Sequence, residues 1–274
     1  MAAEATRPSR GRSPLLRVYA GLVYVFLFAP ILVVVLTSFN PEGRATIPNG
    51  LTTQWYAELL DDDQILDALW TSLQIAIVTA LAASTLGLLA AYGLSRYRFP
   101  GRGAVQGFFY LPMLVPGVVS GVAFIIWFNR IGLETGFLTI LIAHVIFALP
   151  FTLTIILTSF AGFDTRLEEA AQDLGATPWR TFWRITFPIV LPGVLGGALI
   201  AFTLSFDEFV LTFFVAGGGV QTLPIVIYNR IRYLLSPEIN AIATIVMGFS
   251  IGLLLLGQLA SVIKGRRSRN AATE

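Results

Sequence analysis

Six stretches of this chain are long and apolar, and polar segments separate them. A helix rises about 1.5 Å per residue, so crossing a hydrocarbon core takes about 20 mostly apolar residues. Residues 18–39, 68–94, 104–128, 136–163, 189–216 and 239–263 meet that length. The pattern predicts an all-α membrane protein with six transmembrane helices. Arg7, Arg10, Arg12 and Arg17 precede the first run as they would in a signal peptide. That run is longer than the 7–15 apolar residues of a signal sequence and has no A-x-A site after it. It reads as the retained first helix of a membrane domain at 18–263, preceded by a tail at 1–17 and followed by a second tail at 264–274.

Composition sharpens this picture. Hydrophobic residues make up 55% of the 274 and charged residues 12%, half the share of an average globular domain, about 25%. Disorder is excluded, since it requires low hydrophobicity and high net charge. There is no cysteine and one histidine, His144, which removes thiolate zinc sites, disulfides and a histidine metal cage. Lys264 is the sole lysine, and no G-x-x-x-x-G-K-[ST] surrounds it, so the chain has no P-loop. A net charge of +2 does not argue for nucleic acid. No energy-converting chemistry is legible, and the chain does not read as an enzyme.

Charge placement predicts orientation. With the N-terminus in the cytosol, fourteen of the 18 basic residues fall on the cytosolic side and four (Arg44, Arg130, Arg230 and Arg232) on the other. This positive-inside bias puts both termini in the cytosol. The outer face carries Asp61, Asp62 and Asp63, a solvated surface or a funnel for cations. Residues 223–235 are too short to span and read as an interfacial helix. Small residues at Gly117/Gly121, Gly193/Gly197 and Ala83/Gly87/Ala91 follow the spacing of closely packed membrane helices. Prolines 30, 112, 116, 150 and 192 interrupt the spans. His144 in the fourth span is expected to hydrogen-bond a neighbouring helix or to serve substrate or protons.

The segment 164–188 is too polar to span. Leu167, Ala170, Ala171 and Leu174 give one apolar helical face, Gly175 a stop, and Thr177-Pro178 a second start. Trp179, Phe182, Trp183 and Phe187 form an aromatic stripe before Pro188. A pair of short helices of this kind suits docking to another protein, or lying on the lipid surface.

Glu169-Ala170-Ala171, three residues, Gly175, nine residues, Ile185, one residue and Phe187-Pro188 resemble the EAA loop of ATP-binding-cassette importer permeases. Phe187 stands where that family has leucine. The segments FAPILVVVLTSFN, LSFDEFVLTFFVAG and LPIVIYNRI with SPEINAIAT are similar to the spermidine/putrescine permeases within it. The resemblance implies a type I importer in the bacterial cytoplasmic membrane. It would contain two permease subunits, two ATPase subunits that bind ATP and Mg, and an extracytoplasmic binding protein. No cofactor is expected in this chain. The resemblance implies that Glu169, Ala170, Ala171, Asp173 and Gly175 contact the ATPase.

Asp207 and Glu208 are the only acids inside a predicted span. Intramembrane acids mark ion or substrate pathways, or they cap helix contacts. A polycation is attracted to carboxylates and aromatic faces, which makes Asp207 and Glu208 candidates together with Trp127, Phe124 and Tyr110. Other readings are a permease for another small cation or amino-acid derivative, a secondary transporter, and a membrane scaffold.

Overall fold

The computed structural model describes residues 14–42, 50–233 and 238–252, and these are helical with connecting turns. Two compact units emerge, one from residues 1–61 with 235–247 and one from 62–234 with 248–274. In the first, α1 (Pro14–Thr37) begins four residues before the expected span, within the stretch read as a tail. The rest of that tail and all of 264–274 lie outside the described residues. After α1 the chain folds against α2 (Gln54–Leu60). Trp55 donates its indole N–H to the Asn40 carbonyl at 2.9 Å, and Ser38 shares a 2.6 Å hydrogen bond with the Tyr56 hydroxyl.

The second unit is built on α3 (Asp63–Arg96), α6 (Phe137–Ala161) and α9 (Phe187–Phe206). With 34 residues α3 is about 51 Å long, more than a bilayer core requires. Lipid offers no hydrophobic drive between helices, so these three associate by close van der Waals packing. Small residues make the approach possible. A Cβ at Gly197 would come 2.9 Å from Thr152 Cγ2, and one at Gly193 would overlap the Ser159 hydroxyl. A Cβ at Gly87 would lie 3.3 Å from Thr152 Cβ. Thus Gly193, Gly197 and Gly87 sit where α6 presses on α9 and α3. The pair Gly117/Gly121 faces Val210 and Phe214 across the contact of α5 (Gly117–Arg130) with α10 (Val210–Val215).

Two expected spans are broken. Residues 104–128 do not form one helix: α4 (Arg102–Leu114) and α5 meet at a 104° bend. Pro116 causes it, because proline disfavours helical backbone at Val115 and donates no hydrogen bond itself. The stretch 189–216 likewise ends its helix at Phe206 and resumes in α10.

At its other end this helix extends further than expected. The second loop helix is not separate: α8 (Pro178–Thr181) passes through one π-turn (Phe182–Thr186) directly into α9. Pro188 cannot donate to the Arg184 carbonyl and would clash with it in a regular α-helix. The wider π-turn relieves both, with Phe187 N–H reaching the Phe182 carbonyl. Among the described residues, four helices are long and apolar enough to cross a membrane, or five counting the bent pair. The sixth stretch is described as the helix Glu238–Gly252, its remainder lying outside the described residues.

Candidate functional site

Two places in the second unit bring the expected site residues into a defined geometry. The first is the 164–188 loop. Its helix α7 (Arg166–Asp173) starts with two acids in the first turn, where they meet the positive end of the helix dipole. It stops in a Schellman turn. Gly175 N–H donates to the Gln172 carbonyl at 2.8 Å and Ala176 N–H to the Ala171 carbonyl at 3.0 Å. Gly175 has φ +85°, which a side chain would strain. Thr177 accepts from Arg180 N–H at 3.4 Å and Pro178 follows, the start signal expected from the sequence.

The motif divides between surface and core. Ile185 and Phe187 pack against a cluster containing Leu88, Leu153, Phe160 and Val190. Glu169, Ala170, Asp173, Leu174 and Gly175 are exposed, with Ala171 half-buried. Leu174 is 90% exposed, an apolar side chain with no cover from its own chain.

Glu168, not its neighbour Glu169, turns inward. Its carboxylate pairs with Arg96 at 2.8 Å and accepts the Thr186 hydroxyl proton. The guanidinium stacks 4.5 Å from the Phe163 ring centre and 5.7 Å from that of Phe160. Both charged side chains are 14% exposed. One node therefore fastens α7 to the ends of α3 and α6 and to the π-turn. Neither Arg96 nor Glu168 stood out in the sequence. The available signal was the glutamate pair itself, since successive helical residues point about 100° apart and only one of them can face outward.

The second place is the break at residues 207–209. Asp207 caps the end of α9 and is exposed. Glu208 Oε1 accepts Leu211 N–H at 2.9 Å, capping α10. His144, 1% exposed on α6, lies within 2.8 Å of Ser205 Oγ through Nδ1 and within 2.8 Å of Thr212 Oγ1 through Nε2. Its hydrogen bonds to neighbouring helical segments match one of the two roles expected for it.

The aromatic candidates are dispersed. Phe124 stacks on Phe128, ring centres 5.8 Å apart, and packs with Ile75 and Val215. It also lines a 260 Å³ apolar cavity beside Pro112 and Leu211. Tyr110 meets the Thr154 hydroxyl at 3.4 Å. Gly117 marks the end of α5 that meets Val210. Trp127 is ten residues farther along, about 15 Å from that end. The aromatic rings that follow the acids in sequence are Phe209 and Phe213, and both lie against Tyr228, with Phe209 and Tyr228 centres 4.8 Å apart.

Another ion pair marks the far end of α3. Asp62 caps that helix through Ile65 N–H at 3.1 Å and pairs with Arg230 of α11 (Leu223–Tyr233) at 2.6 Å. Burial pushes the Asp62 carboxyl up, but the Arg230 hydrogen bond, the Ile65 N–H and the guanidinium charge hold it below the usual carboxylate range. Arg96 with the 164–188 loop, and Asp62 with Arg230, thus occupy opposite ends of α3. This is the same partition that the charge count assigned to two membrane faces.

These features define a helical membrane protein. Solved structures with this fold include a bacterial importer of the polysaccharide alginate, with TM-score 0.71, 17% identity, and coverage of 95% of this chain and 99% of that one. The MetNI methionine transporter matches with TM-score 0.58 and 18% identity over 72% of this chain and 94% of that one.

Residues 83–268 match the family described as binding-protein-dependent transport system inner membrane component, and the chain belongs to that family. It is 36% identical to the spermidine/putrescine transport system permease protein PotC of Escherichia coli (strain K12), over 86% of this chain and 90% of that protein. It is 40% identical to the putrescine transport system permease protein PotI of the same organism, covering 86% and 87% respectively.

Proposed function

We propose that this chain supplies half of the translocation path of an ATP-driven importer for a polyamine of the spermidine/putrescine class. It works with a second permease subunit, two ATPase subunits that bind ATP and Mg, and an extracytoplasmic binding protein. Both termini and the 164–188 loop face the cytosol. The observation that carries the reading is the division of the loop motif. Its tail is locked in the core, while Glu169, Ala170, Asp173 and Leu174 stay uncovered on a helix fastened from behind by Arg96 and Glu168. Such a helix takes up a partner's movement and passes it to α3, α6 and α9 without bending away.

Shape carries most of that docking, because exposed ion pairs from Glu169 or Asp173 contribute only about 0.2–1 kcal/mol each. The substrate class rests on the relatives named above and on the acid pair at the helix break, where Asp207 and Glu208 present carboxylates to a cation. Phe209, Phe213 and Tyr228 supply aromatic faces beside them. Trp127, Phe124 and Tyr110 remain candidates further along the path.

The test is uptake of labelled spermidine into proteoliposomes holding the assembled complex and the binding protein. Uptake is expected only with ATP and every subunit present. Full-rate uptake by this chain alone overturns the coupling reading. Equal uptake of a labelled sugar or anion overturns the substrate reading.

A further inference from the structure

A buried imidazole is neutral or doubly protonated, and in the neutral form one nitrogen donates and the other accepts. Around His144 the surrounding hydroxyls decide which. Thr212 Oγ1 lies 2.9 Å from the Glu208 backbone carbonyl, a group that can only accept. The single hydroxyl proton of Thr212 is therefore spent on that carbonyl, and toward His144 Nε2 the threonine oxygen can only accept. So Nε2 carries the proton, and Nδ1 of the neutral ring accepts from Ser205. The hydrogen bonds form one directed chain: Ser205 hydroxyl to Nδ1, Nε2–H to Thr212, Thr212 hydroxyl to the Glu208 carbonyl.

This chain spans the break. Ser205 is in the last turn of α9 and Thr212 is in α10, with Asp207 and Glu208 between them. Along the chain only the three residues 207–209 join those two helices, while His144 is rooted in α6, which also grips α10 through the Thr139 hydroxyl on the Val215 carbonyl at 2.7 Å.

We propose that His144, as the Nε2–H tautomer, is a positioning residue that sets the geometry of the 207–209 break and so the aim of the Asp207 and Glu208 carboxylates at the substrate. The proposal rests on the reading that this acid pair meets the substrate. It assigns His144 no contact with the substrate itself.

The directed chain makes the two amide substitutions unequal. Glutamine places an N–H near the Nε2 position and keeps the bond to Thr212. Asparagine places its amide near Nδ1 and leaves Thr212 without a donor.

In the assembled complex with labelled spermidine as probe, His144→Asn is expected to raise the half-saturating concentration about two- to tenfold, the worth of one hydrogen bond, with His144→Gln recovering most of it. Nitrogen-15 histidine spectra of the wild-type complex, minus those of His144→Gln, should show a protonated Nε2 and an unprotonated Nδ1. A protonated Nδ1 with bare Nε2 overturns the proposal even if a variant fails to assemble. So does an Asn variant that matches wild type, or one that lowers only the maximal rate.

The double variant Asp207→Asn with Glu208→Gln separates the two readings. Both amides keep a carbonyl oxygen, that at 208 still able to accept Leu211 N–H, while removing the charges. If this pair leaves half-saturation unchanged, the substrate reading itself fails. If it raises half-saturation while His144→Asn does not, only the positioning role falls.

Discussion

Replacing Gly175 by valine tests whether α7 acts as a rigid lever. Gly175 sits at φ +85° as the turn residue of a Schellman motif, and a Cβ built there meets no atom within 4 Å. Packing therefore adds nothing to the cost, and the backbone sets it. A side chain in the left-handed region costs about 1–2 kcal/mol, and a β-branched one sits at the upper end of that range. That energy lowers the population of the native turn by a factor of about 5–30.

The core of α3, α6 and α9 does not contain Gly175, so thermal stability of the assembled complex should stay near wild type. The quantity to measure is spermidine taken up per ATP hydrolysed in proteoliposomes. It should fall by up to that factor in Gly175→Val and return close to wild type in Gly175→Asn, because asparagine tolerates the left-handed conformation. Wild-type coupling in the valine variant would refute the reasoning, since the strained turn would then have no part in transmission.

The node behind α7 yields a second expectation. Glu168→Ala leaves the largely buried Arg96 guanidinium without its carboxylate, at a cost of about 1.5–3 kcal/mol for a hydrogen bond to a charged group. Hydrogen exchange should rise in α7 and the π-turn before it rises in α6, and uniform protection would contradict the node. Asp62 provides a pH test at the other end of α3. Its carboxyl is held below the usual range in the folded protein. The stability it contributes relative to Asp62→Asn is therefore present above the ordinary carboxylate pKa of about 3.9 and is lost as pH falls through the lower folded value. A pH series of melting temperatures for the two proteins should converge on acidification, and a gap that widens toward low pH would contradict the pairing.

Much of the helical framework was legible in the residues because it rests on local rules. Gly175 closes α7 as its sequence position suggested, and Thr177-Pro178 opens the next helix. The small residues at 87, 193 and 197 lie in the helix contacts. The broken spans were less legible. Pro116 is one of several prolines, and Pro150 and Pro192 are tolerated inside continuous helices. Whether a proline bends a membrane helix depends on what receives the freed carbonyls, and that is a property of its neighbours. The break at 207–209 has no proline or glycine at all. It exists because Glu208 caps α10 and His144 holds both flanks.

Hydropathy and charge bias thus determined, without coordinates, a helical membrane protein, because each follows from residue type and spacing along the chain, and the loop motif added its resemblance to importer permeases. Only the tertiary structure decided that Glu168 faces in while Glu169 faces out, that α8 runs through a π-turn into α9, and that one histidine bridges a helix break. Those choices depend on which hydrogen-bond and charge partners lie across from a side chain, and partners such as Arg96 and Glu168, or His144 and Thr212, are many dozens of residues apart in the sequence.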